Sequence, residues 1–283
     1  MRALGVDVSV RRGLDLVVLD ESAEPAAIRS DVTPQALPEL VRELRPDVVA
    51  IDSPPAWGRG GGSRRAEREL RRLGIQSYGT PSDERAGDNA FYGWMKVGFL
   101  AFGACEAAGF PRYRRGAAHG TAMEVFPHAA AVVLAGCLPP AAVPKHTWRA
   151  SVLRSRGIEV RALRTHDLID AALAALTGLF ALAGEFVAAG DPDEGVIVLP
   201  VRALPAEPYR RCAQPPAPAP QLNLPGLTPC ACGDPECRAM TSREFAPGHD
   251  AKRKSRLWDE VRRGDQAREE LRRRRWELPP ELK

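Results

Sequence analysis

The sequence predicts an α/β fold, a mixed sheet flanked by helices, followed by a small Cys-rich helical module. Three observations carry this. Short runs rich in β-branched residues, at 3–8, 14–20 and 48–52, alternate with stretches of helical length. The run Val48-Val49-Ala50-Ile51 delivers one carboxylate, Asp52, and stops at Pro54-Pro55, which cannot continue a hydrogen-bonded ladder. Three of the six cysteines, Cys230, Cys232 and Cys237, cluster beyond a Pro-rich stretch.

Residues 3–8 read as a first strand ending near Asp7. A turn follows, and 14–20 return as the second arm of a hairpin. A third strand covers 26–29. Thr33-Pro34 opens a helix through Leu44, with Thr33 as N-cap and Pro34 at the first helical position. Arg45-Pro46 ends it, and the Asp52 strand follows. The Gly-rich loop 57–63 leads into an Arg-rich helix, 64–73, capped by Ser63 and stopped by Gly74. It lacks the Gly-Lys-Ser/Thr ending of a nucleotide P-loop. Residues 91–108 have helical periodicity, with Phe91, Met95, Phe99 and Phe102 near one face. The run Thr121-Ala122-Met123-Glu124-Val125-Phe126 is a short strand halted by Pro127, a small helix covers 128–135, and Lys145 precedes a helix over 146–156.

The longest helix starts after Thr165 and is expected to run to Val187. Asp167 and Asp170, three apart, share a face in its first turn. A strand over 195–200 closes the domain, giving boundaries of 1–203 for the domain, 204–229 for a Pro/Ala-rich linker and 230–283 for the tail module.

Net charge is +4, of which the tail carries +3 from 14 Lys+Arg and 11 Asp+Glu, so the core has no global basic field. The 35 Arg outnumber the 5 Lys, which fits phosphate recognition but fits biased genome composition better. No signal peptide or run of transmembrane length is visible, so a cytoplasmic location without membrane contact is expected. The cysteine pattern suits a reducing compartment with one metal site better than a disulfide framework.

Carboxylates at two strand ends and on one helix face oppose folding unless a cation joins them. Hard oxygen ligands suit Mg²⁺ or Mn²⁺, and two such ions, about 3.5–4 Å apart, can activate water for phosphodiester hydrolysis. Taken singly, each Asp is equally well a turn or cap residue. Together they form a site only if the fold brings Asp7, Asp52, Asp167 and Asp170 to one place.

The order of strand, hairpin strand, helix, Asp-ended strand and late Asp-x-x-Asp helix resembles the ribonuclease H-like superfamily, and within it RuvC-type resolvases. That resemblance implies metal-ligand roles for Asp7, Asp52, Asp167 and Asp170. A closer likeness is to the predicted nucleases of domain of unknown function 429. It is carried by Gly5-Val6-Asp7, Ala50-Ile51-Asp52-Ser53-Pro54, the Arg-rich helix ending Leu73-Gly74, Glu124-Val125-Phe126-Pro127, Lys145, His166-Asp167-x-x-Asp170-Ala171 and Val196-Ile197-Val198-Leu199-Pro200. It spans about residues 3–201. Glu124 and Lys145 depart from the RuvC pattern: Glu124 is a candidate extra ligand, or orients Lys145 or an Arg, and Lys145, Arg65 and Arg68 are candidate phosphate contacts. Resolvases of this fold act as dimers, so a second copy is an implied partner, though no dimer surface is legible.

In the tail, Cys230, Cys232 and Cys237 with His249 have the ligand types of a structural zinc site; the Cys-x-Cys spacing is tight, and Asp250 and Cys212 are fallback ligands. The segment 245–255 resembles one recurring in small bacterial Cys-rich modules. Lys252, Arg253, Lys254 and Arg256 open a helix beside the cluster and are candidates for contact with DNA backbone. Trp258 and Trp276 are expected to pack the module. The leading expectation is thus a metal-dependent nuclease acting on nucleic acid, with DNA favoured. The alternatives are a non-catalytic nucleic-acid-binding protein and a phosphotransferase or nucleotide hydrolase of actin-like or sugar-kinase type. The last lacks a second phosphate loop here.

Overall fold

The structure, a computed structural model, describes residues 1–219, 222–232, 237, 239–241, 246, 249–262 and 267–278. It divides into two compact units, Met1–Pro225 and Gly226–Lys283.

The first unit is built on a five-stranded mixed sheet. Strands β1 (Ala3–Ser9), β2 (Gly13–Leu19) and β3 (Ala27–Val32) form an antiparallel meander. Helix α1 (Leu37–Leu44) returns the chain to β4 (Val48–Asp52), which lies parallel to β1. Helix α1 begins three residues later than the Thr33 cap predicts: Thr33–Ala36 close a turn, and Ala36 is the N-cap. Pro38 is the reason. A helix begun at Pro34 would bury Pro38 in its interior, where it lacks an N–H and clashes with the preceding turn. Starting at Leu37 places Pro38 in the first turn, where neither defect matters.

Helices α2 (Arg65–Arg72), α3 (Asp83–Ala86) and α4 (Gly93–Ala107) follow, then β5 (Ala122–Glu124), parallel to β4. The sheet order is β3-β2-β1-β4-β5. Helices α5 (Pro127–Ala135), α6 (Lys145–Ser155) and α7 (His166–Leu182) precede a hairpin of β6 (Val187–Asp191) and β7 (Gly195–Leu199). Helix α7 stops short of Val187 because Gly184 takes a left-handed conformation (φ 75°) and turns the chain into β6.

The two faces of the sheet are covered differently. Leu4, Val6, Val49 and Ile51 on one face pack against Leu37, Val41 and Leu44 of α1 and Ala101, Phe102 and Cys105 of α4. The other face presents small residues, and α7 lies almost directly on it. A Cβ added at Gly5 would stand 1.9 Å from the Ala171 carbonyl oxygen, and one at Gly178 would stand 2.9 Å from Ala3 Cβ. Helix α7 is buried along nearly its whole length, with α5 and α6 packed against it.

The Pro/Ala-rich stretch is bound to the first unit as far as Asn223. Tyr209 N–H donates to the Leu73 carbonyl (3.0 Å), Ala219 to Arg154 (2.9 Å) and Asn223 to Arg156 (2.8 Å), and Leu222 and Leu224 are buried. A disulfide joins Cys137 to Cys212, whose Cα atoms are 5.3 Å apart. This corrects the expectation of a metal site in place of disulfides for these two cysteines, and it removes Cys212 as a fallback zinc ligand, because its sulfur is consumed by the bond.

The second unit pairs β8 (Thr228–Pro229) with β9 (Met240–Thr241) and carries helices α8 (His249–Arg262) and α9 (Ala267–Arg273). Leu257, Val261, Ala267 and Leu271 form its core, with Trp258 and Trp276 packed on it. Of the segment 245–255, Phe245, Pro247 and Gly248 lie outside the described residues. No described helix is long and apolar enough to cross a membrane.

Candidate functional site

Strand register assembles the acids. Asp7 pairs with Asp52 across the parallel β1–β4 ladder and with Asp15 across the antiparallel β1–β2 ladder. Register partners point to one face, so three carboxylates stand abreast on the face that α7 covers. Thr165 starts α7 there, its Oγ1 accepting from Leu168 N–H at 3.1 Å, and the first turn supplies Asp167 and Asp170. The close seat of Ala171 over Gly5 brings that turn down onto the strands. Carboxylate oxygens of Asp7, Asp15 and Asp167 lie within 4.8 Å of one another and could hold a metal ion. Asp52 and Asp170 act electrostatically on Asp7 and on each other.

The structure therefore brings the four anticipated aspartates to one region and adds Asp15, which the sequence reading passed over. A signal existed. Asp15 is an acid inside the apolar run Leu14–Leu19, and counting back through the hairpin turn places it opposite Asp7.

The cluster resists ionisation. Burial, then Asp52, Asp170 and Asp15, raise the Asp7 carboxyl well above the ordinary range. Burial and then Asp170 do the same to Asp52. Burial lifts Asp170 to about 7, although Arg149 opposes the shift. Arg149 Nε is 3.0 Å from Asp170 Oδ1, an ion pair without hydrogen-bond geometry, and both atoms are buried with no hydrogen-bond partner. Arg12, from the β1–β2 turn, contacts Asp167, and His166 Nε2 lies 2.8 Å from the same carboxylate.

Glu124 is engaged differently. It pairs in register with Ile51, on the opposite face from Asp52. Arg64 grips it bidentately, with Nη1 2.8 Å from Oε2, and also donates from Nε to Glu67 at 2.8 Å. Thr80 donates to Glu67 at 2.7 Å. Burial disfavours the Arg64 charge, but Glu124 and then Glu67 hold its proton more tightly than usual. Burial still raises the Glu124 carboxyl, with Arg64 opposing.

Arg64, not Ser63, is the N-cap of α2, and the Glu67 carboxylate accepts its backbone N–H. The Arg64-x-x-Glu67 spacing is the legible sign of this contact, the glutamate half of a capping box, since a guanidinium cannot accept in return. Arg65 and Arg68, the anticipated phosphate contacts, lie on the outer side: Arg65 pairs with Glu69 at 2.6 Å and Arg68 reaches the Ser63 carbonyl. Lys145 is exposed at the start of α6. Burial, Arg149 and then Lys145 push His128 down to about 4, so His128 is neutral near pH 7.

A cavity of about 300 Å³ opens at the carboxyl ends of the strands. Asp52 lines one wall, Arg64, Glu67 and Glu124 the charged part, and Tyr78, Trp94 and Phe126 the aromatic part.

In the second unit, ligand atoms of Cys230, Cys232, Cys237 and His249 lie within 4.8 Å of one another. His249 Nδ1 is 3.5 Å from Cys230 Sγ and 3.4 Å from Cys237 Sγ, and Ala246 N–H donates to Cys230 Sγ at 3.3 Å. Such N–H···S bonds orient a thiolate ligand from outside the metal shell. Of the anticipated basic residues, Arg253 is tied to Glu260 (3.3 Å) and Glu270 (2.6 Å), and Lys254 Nζ lies 5.1 Å from the Trp258 ring centre. Arg256 is half-buried, and Lys252 is exposed.

The chain belongs to the family described as protein of unknown function (DUF429), whose sequence profile matches residues 5–194. None of the curated proteins matches it.

Proposed function

We propose that the protein is a metal-dependent nuclease hydrolysing phosphodiester bonds of nucleic acid, with DNA the favoured substrate, and that its first unit is of the ribonuclease H-like class. One observation carries this reading: Asp7 and Asp52 stand side by side at the ends of parallel strands, under the acidic first turn of α7. Their carboxyls, and that of Asp170, are held in a form that a divalent cation would convert to the charged one. The sheet order β3-β2-β1-β4-β5, with only β2 reversed against its neighbours, supports the fold class.

The donors fit Mg²⁺ or Mn²⁺: all are hard oxygens, and Asp170 Oδ1 is a buried acceptor without a hydrogen bond. Asp7, Asp52, Asp167 and Asp170 would hold two ions, with Asp15 beside them. Bound there, the ions supply Lewis acidity and a nucleophilic water. The chain's own part is to fix the carboxylates, exclude bulk water beneath α7, and hold Glu124 away through Arg64. In the second unit, three sulfurs and an imidazole suit a structural Zn²⁺.

The test is cleavage of single-stranded, duplex and branched DNA and of RNA, with Mg²⁺ or Mn²⁺, by wild type and Asp7→Asn. Products from wild type alone support the reading; equal cleavage by the variant removes it. A second reading, a nucleic-acid-binding protein without catalysis, is favoured by Arg12 on Asp167 and Arg149 on Asp170, guanidiniums that already neutralise two of the acids. Salt-dependent binding with no products in either metal selects it.

A further inference from the structure

A chain of aromatic rings runs beside the cavity. Trp57 packs edge-on to Phe99 (4.8 Å between ring centres) and Tyr92 (6.2 Å). Tyr92 meets Phe91 (5.1 Å), Phe91 meets Tyr78 (5.3 Å), and Tyr78 meets Trp94 (6.5 Å). Tyr78 is 69% exposed and Phe91 50%. Single exposed rings are ordinary, but a contiguous row leading into a cavity marks a binding surface. Tyr78 and Trp94 also line that cavity, as does Ser77. Ser77 Oγ is buried and has no hydrogen-bond partner, so a polar ligand edge would satisfy it.

The cavity wall carries Asp52, Glu67 and Glu124 against Arg64, and further guanidiniums gather near Arg64. Burial disfavours the charge on Arg112, Glu124 favours it, and Arg114, Arg64 and Arg59 lie close enough to oppose it. Arg64 satisfies both Glu67 and Glu124. Arg59 and Arg114 form no ion pair among the described residues, and Arg112, which feels Glu124, donates to the Glu194 carbonyl.

We infer that the cavity seats one unpaired nucleobase of a single-stranded nucleic acid, stacked on Tyr78 and Trp94, with neighbouring phosphates against Arg59, Arg112 and Arg114. Ring faces take any base, and guanidiniums take the backbone. A base held in a duplex stack could not enter without being extruded. The inference deepens the nuclease reading, since Asp52 forms one wall of the same cavity, but base seating needs no metal.

The test is fluorescence anisotropy in EDTA with full-length protein and a labelled thymidine oligonucleotide, its duplex, and an abasic sugar-phosphate strand of equal length. The expected result is single-strand affinity at least about ten-fold above both controls. Tyr78→Ala should weaken only the single strand, by roughly five- to 150-fold, the range for one lost stacked base. Tyr78→Phe should restore binding. Equal affinity for the three ligands, or no effect of Tyr78→Ala, overturns the inference. So does self-association of wild type that Tyr78→Ala abolishes without changing oligonucleotide binding, which would make the ring row a protein interface. Cleavage with Mn²⁺, scored separately, judges the nuclease reading: products without a Tyr78 effect sink only the base seat, and a Tyr78 effect without products sinks only catalysis.

Discussion

Asp7 and Asp52 are register partners in the parallel β1–β4 pair, and burial first, then neighbouring carboxylates, hold both carboxyls well above the ordinary range. A carboxyl raised in this way holds its proton more tightly than usual, so a cation arriving there displaces it. Mn²⁺ should raise the melting temperature of wild type. Ligand at a hundred times Kd contributes about 2.7 kcal/mol, which is several degrees for a unit of this size. Asp52→Asn should show no such rise, while its metal-free melting temperature stays level or increases. Equal Mn²⁺ stabilisation of both proteins would place the metal elsewhere.

The raised carboxyls set a pH dependence of definite sign. Native Asp7, Asp52 and Asp170 keep protons that the unfolded chain releases above about pH 4, so metal-free stability falls as pH rises from there through the native values, about 7 for Asp170. His128 acts oppositely, but only below its unfolded value near 6.5, since its native value is about 4. Between pH 6.5 and 8 the acids act without it. Metal-free stability should drop across that window, by at most about 1.4 kcal/mol per pH unit for each full proton, the melting temperature falling with it, and Asp170→Asn should flatten the slope. A wild-type melting temperature that is level across the window would contradict the burial of these acids.

Gly5→Ala tests the seat of α7. Its Cβ would meet the Ala171 carbonyl oxygen at 1.9 Å and the Ala175 nitrogen at 2.4 Å, both backbone atoms that move only with the helix. Overpacking of this kind costs about 1–3 kcal/mol or more, and a displaced α7 should weaken Mn²⁺ binding as well. Gly103→Ala, with nothing within 4 Å of the new Cβ on helix α4, is the control; it should stabilise by about 0.4–1 kcal/mol. Unchanged stability and Mn²⁺ binding in Gly5→Ala would show that the contact is looser than described.

Zinc content gives a separate check on the second unit. His249 is both a cluster residue and the first residue of α8, so the metal would anchor that helix at its start. One Zn²⁺ per chain is expected. Cys232→Ser should lose it together with far-ultraviolet helical signal, while the main thermal transition of the first unit persists. Full zinc retention by Cys232→Ser would exclude the cluster as the site.

Much of the site was legible where a local signal coincided with an element end. Pro54-Pro55 fixed where β4 stops and so what Asp52 does, and Thr165 fixed the turn that carries Asp167 and Asp170. What escaped depended on phase or on distant pairing. Arg64 and Arg65 differ by one residue, yet at a helix start that step of about 100° separates a buried grip on Glu124 from an exposed pair with Glu69. Asp15 needed the hairpin register. Strand β6 is spelled Val-Ala-Ala-Gly-Asp, letters that extend α7 as readily as they begin a strand. The Cys137–Cys212 bond spans 75 residues, and nothing local announces it.

The seat of α7 on Gly5 also orders events during synthesis. Strand β1 leaves the ribosome some 160 residues before α7, yet its small-residue face has no cover until α7 arrives. Contacts so far apart in sequence close late, because loop entropy must be overcome first. Incomplete chains therefore carry Asp7, Asp15 and Asp52 without Asp167 and Asp170. A nascent polypeptide lacks the full acid set until nearly the whole first unit has been made, so any activity that needs all five acids is confined to the finished fold.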